Sequence, residues 1–369
     1  MFAEKKWLAG NLIYLEGREP RSGLTEGDVA SSLLYKKDGT VYVIDTGCGR
    51  RFRKSLLGAI ESLRPFSGLC VLNTHSHPDH TANNGLIREI DCPRKRHYIS
   101  ERGRSGLDYV RSFARVTGSL RPWCTVYDVM AFPWSVLISP FMLWSHIHPR
   151  GHEHFIAQTI AKFKPLDPSP ETAEDLESLP FAPAPARSPC GERYSVDDAV
   201  VAIPTRGHSP DHVAYYIPEH RVLFTADETF SIYPLWPDSD SARTGDAIAF
   251  FRDLVGEGVV DFVADSHTPG VMDSSMALAL FSRRTAAHRA FIDEFRQARA
   301  MEGSLPDIHR IYRAMTRRYR ATGRRNGANG GIRQLLADYF DMEFPRMPVY
   351  LKVVLAALLH ESEKGRVGT

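Results

Sequence analysis

The chain has 369 residues, 43% apolar and 24% charged, with a net charge of +2; this is the balance of an ordinary folded protein, long enough for one large domain or two. So small a charge neither demands nor excludes an acidic partner. Five scattered cysteines, Cys48, Cys70, Cys92, Cys124 and Cys190, form no C-x-x-C pair and read as free thiols of a reducing compartment, against a disulfide framework or a zinc knuckle. The apolar residues of Met1 to Leu15 are interrupted by Ala9-Gly10-Asn11 with no small-residue cleavage site after them, and no apolar run reaches the length of a bilayer span. A cytoplasmic location is expected.

In chain order, Asn11 to Leu15 reads as a strand. Ser31 to Tyr35 and Val41 to Ile44 read as two more, joined by an Asp38-Gly39 hairpin signal. The last of these ends in Asp45-Thr46-Gly47. Asp45 is read mainly as a turn residue capping the next element, and secondarily as a carboxylate holding a ligand histidine by its far ring nitrogen. Arg51 to Leu63 has helical apolar spacing, stopped by Arg64-Pro65. Leu69 to Leu72 is a short buried strand, and it runs into Thr74-His75-Ser76-His77-Pro78-Asp79-His80.

Imidazole and carboxylate are the ligands a borderline divalent cation wants. Alternate residues at a strand end point the same way, so His75 and His77 can converge on one ion. Pro78 suits the first turn of a helix. That turn aims Asp79 and His80 at a second point, with Thr81 to Gly85 opening the helix.

From about Arg94 to Asp197 the regular pattern breaks down. The segment holds an acidic patch at Glu171 to Glu177, a Pro-Ala run at Phe181 to Ala186, and an aromatic stretch with Phe132, Trp134, Phe141 and Trp144. It reads as a helical insertion, packed on the main domain as a lid. His146, His148, His152 and His154 follow without carboxylates or a strand framework, and are read as loop or lid residues.

Alternation returns with a strand at Ala199 to Ile203, which leads into Gly207-His208; His212, opening the strand Val213 to Ile217, is read as structural. Asp227 ends the strand Val222 to Asp227, and Asp265-Ser266-His267 follows the strand Val260 to Ala264. Three strand ends thus supply His208, Asp227 and His267, an ordered set able to complete two metal shells.

These residues carry a family resemblance. Asp45-Thr46-Gly47, the His75-x-His77-x-Asp79-His80 motif, Gly207-His208, Thr225-Ala226-Asp227 and Ser266-His267 resemble the metallo-β-lactamase-fold hydrolase superfamily over roughly residues 10 to 290. The resemblance implies an α/β fold, an αββα sandwich with two metals at one edge of its sheets. One ion would take His75, His77 and His208; the other would take Asp79, His80 and His267, with Asp227 bridging. Arg206 stands where the family usually has proline, Ala226 where it has glycine, and Ser266-His267-Thr268 where Gly-His-Gly is common. Aspartate rather than cysteine at 227 points away from the antibiotic-hydrolysing zinc enzymes and toward members resembling glyoxalase II, lactonases and thioesterases.

Such a ligand set would share one acidified water, a bridging hydroxide that attacks the substrate. Asp79 would both ligate and move a proton, with no competing serine elbow or catalytic cysteine. Zinc is the first choice of metal; iron or manganese would also fit. The expected reaction is cleavage of an ester, thioester or lactone of a small molecule, with an aromatic-rich loop at Phe230 to Trp236, including Tyr233, suggesting a lipophilic or aromatic acyl group. No residue is assigned to substrate binding. The alternatives are a phosphodiesterase or ribonuclease with the same metals, or a non-hydrolytic diiron oxygenase. Domain organisation is read as a catalytic domain over 1–285 with the insertion at about 94–197, then a helical extension over 286–369. That extension begins within a helix at Met276 to Arg299, continues through Asp307 to Tyr319, Leu335 to Phe340 and Val349 to Glu363, and bears a basic cluster from Arg310 to Arg325. The cluster reads as a solvated face first and an anion-binding one second, so nucleic acid is the lesser expectation among partners. No oligomeric state follows from the sequence.

Overall fold

The computed structural model describes residues 5–18, 29–119, 157, 160–185, 187–229 and 238–300. The first sheet is built in chain order from β1 (Lys5–Ala9), β2 (Leu12–Leu15), β3 (Ser32–Lys37), β4 (Thr40–Ile44), β5 (Gly68–Leu72), β6 (Arg94–Ile99) and β7 (Glu174–Asp175). The second comprises β8 (Tyr194–Val196), β9 (Val200–Pro204), β10 (Val213–Ile217), β11 (Val222–Phe224), β12 (Phe262–Ala264) and β13 (Met272–Asp273), arranged in the order β13-β12-β11-β10-β9-β8. The helices are α1 (Arg50–Glu61), α2 (Pro78–Thr81), α3 (Glu101–Arg104), α4 (Tyr109–Ser119), α5 (Ser241–Gly256) and α6 (Ser274–Ala300).

The period-two pattern of the strands sorts side chains into layers. On β4, Tyr42 and Ile44 turn inward with Cys70 and Leu72 of β5, meeting Ala202, Tyr215, Phe224 and Ala264 of the second sheet. Their neighbours Val41, Val43, Leu69 and Val71 turn outward onto Phe52, Leu56, Ala59 and Ile60 of α1. On the far side, Val201, Ile203, Ala214 and Leu223 pack against Ile248, Phe251 and Leu254 of α5 and Phe281 of α6. Helix, sheet, sheet, helix is the αββα sandwich. Fully burying a side chain such as Phe251 or Ile60 contributes roughly 1.5–3 kcal/mol each, so the three apolar layers hold the fold without a disulfide. Cys48, Cys70, Cys92 and Cys190 are free thiols, and Cys124 lies outside the described residues.

Asp38 and Gly39, at φ +48° and +73°, make the expected tight hairpin between β3 and β4. The pairing β4–β5–β6 is parallel, and so is β11–β12. One expectation changes: the segment read as irregular holds the short strands β7 and β8 and, at its start, β6. The first half of β6, Arg94-Lys95-Arg96, is charged, and only His97-Tyr98-Ile99 enters the core, which hides the strand from a hydrophobic pattern. The helix expected over Met276 to Arg299 is α6, which is continuous across residues 285 and 286. The aromatic stretch, the histidines from His146 to His154, the Phe230 to Trp236 loop and everything after Ala300 lie outside the described residues. Among the described residues, no helix is long and apolar enough to cross a membrane.

Candidate metal centre

Open α/β sheets present their loops for chemistry beyond the carboxyl ends of parallel strands. Asp45 follows β4, His75 to His80 follow β5, Asp227 follows β11, and Asp265 to His267 follow β12. The loop after β9 adds His208. Main-chain hydrogen bonds clamp these loops across the two sheets: Val213 N–H donates to Thr74 O at 2.8 Å, and Ser31 N–H to Ser266 O at 2.8 Å. Asp211 joins in by accepting the Ser76 N–H at 2.8 Å.

All seven residues singled out in the sequence come together, as two quartets that share Asp227: His75, His77, His208 and Asp227, and Asp79, His80, His267 and Asp227. In the first, His75 Nε2 is 2.9 Å from His77 Nδ1, which is 3.3 Å from His208 Nε2. Asp227 Oδ2 closes the figure at 3.5 Å from His208 Nε2 and 3.9 Å from His75 Nε2. In the second, Asp227 Oδ1 lies 3.1 Å from His80 Nε2 and 3.2 Å from His267 Nε2, and Asp79 Oδ2 lies 3.5 Å from each. A tetrahedron of 2.0–2.1 Å zinc–ligand bonds has edges of about 3.3 Å. Both quartets are of that size, and one carboxylate gives an oxygen to each.

The protonation chemistry agrees. Burial pushes His75 and His208 well below the usual imidazole range and takes His77 down to about 4, so these rings offer lone pairs at neutral pH. Burial opposes ionisation of Asp227, but His267 and His80 outweigh it and hold the carboxyl well below its usual range. For His80, burial works against the charge, and the carboxylates of Asp227, Asp79 and Asp45 overcome it and lift the pKa well above the ordinary value. His80 Nε2 and Asp227 Oδ1, both buried, face each other without the alignment of a hydrogen bond. A buried polar atom left so is costly, and a cation between the rings would satisfy it. The donor set, five imidazole nitrogens and two carboxylates, fits divalent metals.

The support beneath the ligands is only half legible in the sequence. Asp45 accepts from His80 Nδ1 at 2.8 Å, from the Thr74 hydroxyl at 2.7 Å and from the Thr74 N–H at 2.9 Å. It therefore holds one of the clustered histidines by its far ring nitrogen, and does not cap α1, whose N-cap is Gly49 with no side-chain cap. The Thr74 hydroxyl lies 3.0 Å from His75 Nδ1, so the same carboxylate orients both rings with Nε2 inward. Asp265 accepts the His267 N–H at 2.9 Å; burial raises its pKa. Sequence reasoning misses Glu228 altogether. It is wholly buried, and although burial opposes its charge, His212 and Thr205 bring it down to about 2. The available signal is a second acidic residue directly after Asp227. His212 stays outside both quartets, in keeping with its structural reading: Nδ1 faces Thr205 Oγ1 at 2.7 Å, and Nε2 accepts the Asp227 N–H at 3.2 Å.

Asp45, Arg206 and Ala226 have φ of +57°, +57° and +47°. Left-handed backbone costs a non-glycine residue roughly 1–2 kcal/mol, and such strain gathers at functional sites. Two of the three, Arg206 and Ala226, are positions where the sequence departs from the motif pattern it otherwise resembles.

Comparison with known structures agrees with this fold. A metallo-beta-lactamase family protein from Thermus thermophilus is 18% identical, with a TM-score of 0.54 over 97% of this chain and 95% of its own. A beta-lactamase domain protein from Burkholderia ambifaria is 16% identical, with a TM-score of 0.53 over 98% of this chain and 88% of its own. The inverting sec-alkylsulfatase Pisa1 from Pseudomonas sp. is 14% identical, with a TM-score of 0.52 over 98% of this chain and 50% of its own. At such identities the likeness is one of fold. No curated protein matches the sequence. The sequence profile of the metallo-beta-lactamase superfamily matches residues 25–279, and the chain belongs to that superfamily.

Proposed function

We propose that the protein is a binuclear metal-dependent hydrolase that cleaves an ester, thioester or lactone bond, with zinc as the first-choice metal. The observation that carries this reading is the division of Asp227, Oδ2 toward His75 and His208 and Oδ1 toward His80 and His267. A carboxylate so placed suits a bridge between two cations. A bound pair of divalent ions supplies an acidified water, its pKa lowered toward about 7, and a Lewis acid for the substrate oxygen.

The chain's own residues supply the rest. His75, His77 and His208 are neutral donors. Asp79, within 3.5 Å of both His80 and His267, would orient the nucleophilic water and carry a proton toward the leaving group. Phe113 on α4 stands 5.8 Å from the His77 ring and, with Ser76, Ser112 and Asp238, lines a small cavity of about 30 Å³ beside it.

A screen of the metal-loaded protein against lactones, thioesters and phosphodiesters tests this. Turnover of an acyl substrate, abolished by a chelator and restored by zinc, is expected. Turnover confined to phosphodiesters, weakening steeply with salt, would replace the acyl reading with the nuclease one. Iron content with a visible absorption band and no hydrolysis would replace it with the oxygenase.

A further inference from the structure

Both sheets contribute buried carboxylates beneath the clustered side chains, Asp45 from the first and Asp265 and Glu228 from the second. Asp45 serves the histidines of the β5 loop. We infer that Glu228 is the matching positioning residue of the second sheet, holding His208 through its main chain and Asp227 through His212. This role rests on the binuclear reading above.

Glu228 sits where the β9 loop turns over the end of β11. Its carboxylate accepts the Thr205 hydroxyl at 2.6 Å, the His208 N–H at 3.1 Å and the Gly207 N–H at 3.4 Å. Arg206 adopts its left-handed backbone just before those two N–H groups. At 207 only glycine fits, since a Cβ there would lie 2.0 Å from Glu228 Oε1. The opposite side of the same loop is held separately, by the Ser239 hydroxyl on His208 O at 2.7 Å and the Asp240 N–H on Gly207 O at 2.7 Å. His208 is thus gripped from both sides of its peptide. The second arm runs through His212, whose Nδ1 lies 3.2 Å from Glu228 Oε2 while Nε2 accepts the Asp227 N–H. Accepting at Nε2 fixes the tautomer: the ring proton is on Nδ1, directed at Glu228 and Thr205.

Stability alone does not account for the group. A buried ionic cluster can often be replaced by apolar side chains at no loss, or with a gain, in stability. What an apolar replacement cannot do is receive two adjacent N–H groups and a histidine. The hydrogen-bonded partners of metal ligands typically carry a 10–100-fold effect on metal affinity.

The test is zinc affinity and stoichiometry, read by competition with a chromophoric chelator, alongside thermal unfolding of the metal-stripped protein. Glu228→Gln sets an amide N–H₂ against existing donors, and zinc binding is expected to weaken about 10–100-fold in protein that is still folded. Thr205→Val, isosteric and milder, is expected to weaken it in the same direction by less, and it decides the matter should Glu228→Gln fail to fold. Variants that unfold at lower temperature but bind zinc as the wild type does would reduce Glu228 to a purely structural group and overturn the inference. A wild-type chain that takes up no zinc would sink the binuclear reading, and this role with it. Tight binding of a pair of ions, unchanged in both variants, would sink only this role.

Discussion

Replacing Asp45 by asparagine removes one charge and almost nothing else. Asparagine tolerates the left-handed backbone at φ +57° and has the same shape, so β4 and its turn should survive. The hydrogen bonds do not survive intact. Asp45 Oδ2 receives the Thr74 hydroxyl and His80 Nδ1, while Oδ1 receives the Thr74 N–H. An amide can present oxygen to one side only. With its nitrogen toward His80, the ring must move its proton to Nε2, the atom that faces Asp227 and would bind the cation. With its nitrogen toward Thr74, two N–H donors collide. Either way one charge-assisted bond, worth about 1.5–3 kcal/mol, is lost or reversed. At about 1.4 kcal/mol per tenfold, that is roughly a 10- to 150-fold loss of affinity at the His80 site. Chelator competition on wild type and Asp45→Asn, with near-ultraviolet circular dichroism to confirm packing, measures it. Equal affinities in two equally folded proteins would refute the reasoning.

His77→Ala should abolish turnover while leaving the fold and its unfolding temperature in place, because the ring lies in the ligand cluster and not in the apolar layers; full activity would contradict its assignment. A second effect concerns pH. Burial lowers His97 to about 4, and its ring nitrogens face Asn73 Oδ1 at 2.7 Å and Thr172 Oγ1 at 2.9 Å. Since the folded protein binds this proton less readily than the unfolded chain, the stabilisation is complete above pH about 6.5 and falls away as pH drops toward about 4. His97→Gln should remove about 3 kcal/mol of that pH dependence; identical denaturation slopes for variant and wild type between those pH values would count against it.

The clustered histidines and aspartates are legible because each obeys a local rule. A buried strand followed by a histidine-rich turn, with Pro78 at the first helical position, places His75 to His80. A histidine or aspartate just beyond a strand places His208, Asp227 and His267. The residues that support them obey no such rule. Asp45 looks like any turn aspartate until the fold brings His80 within 2.8 Å of it. Glu228 is hidden by its neighbour Asp227, and its partners Thr205 and Gly207 lie far back in the sequence. Strand β6 is concealed for a different reason: three charged residues open it, and the sheet, not the local pattern, makes it a strand.

Metal content per folded chain tests the centre most directly. Protein purified in the presence of zinc, dialysed and analysed by elemental spectrometry should carry two ions, and His75→Ala with His267→Ala together should carry none. Wild-type protein, well folded, that retains no divalent metal above the level of that double variant would contradict the account.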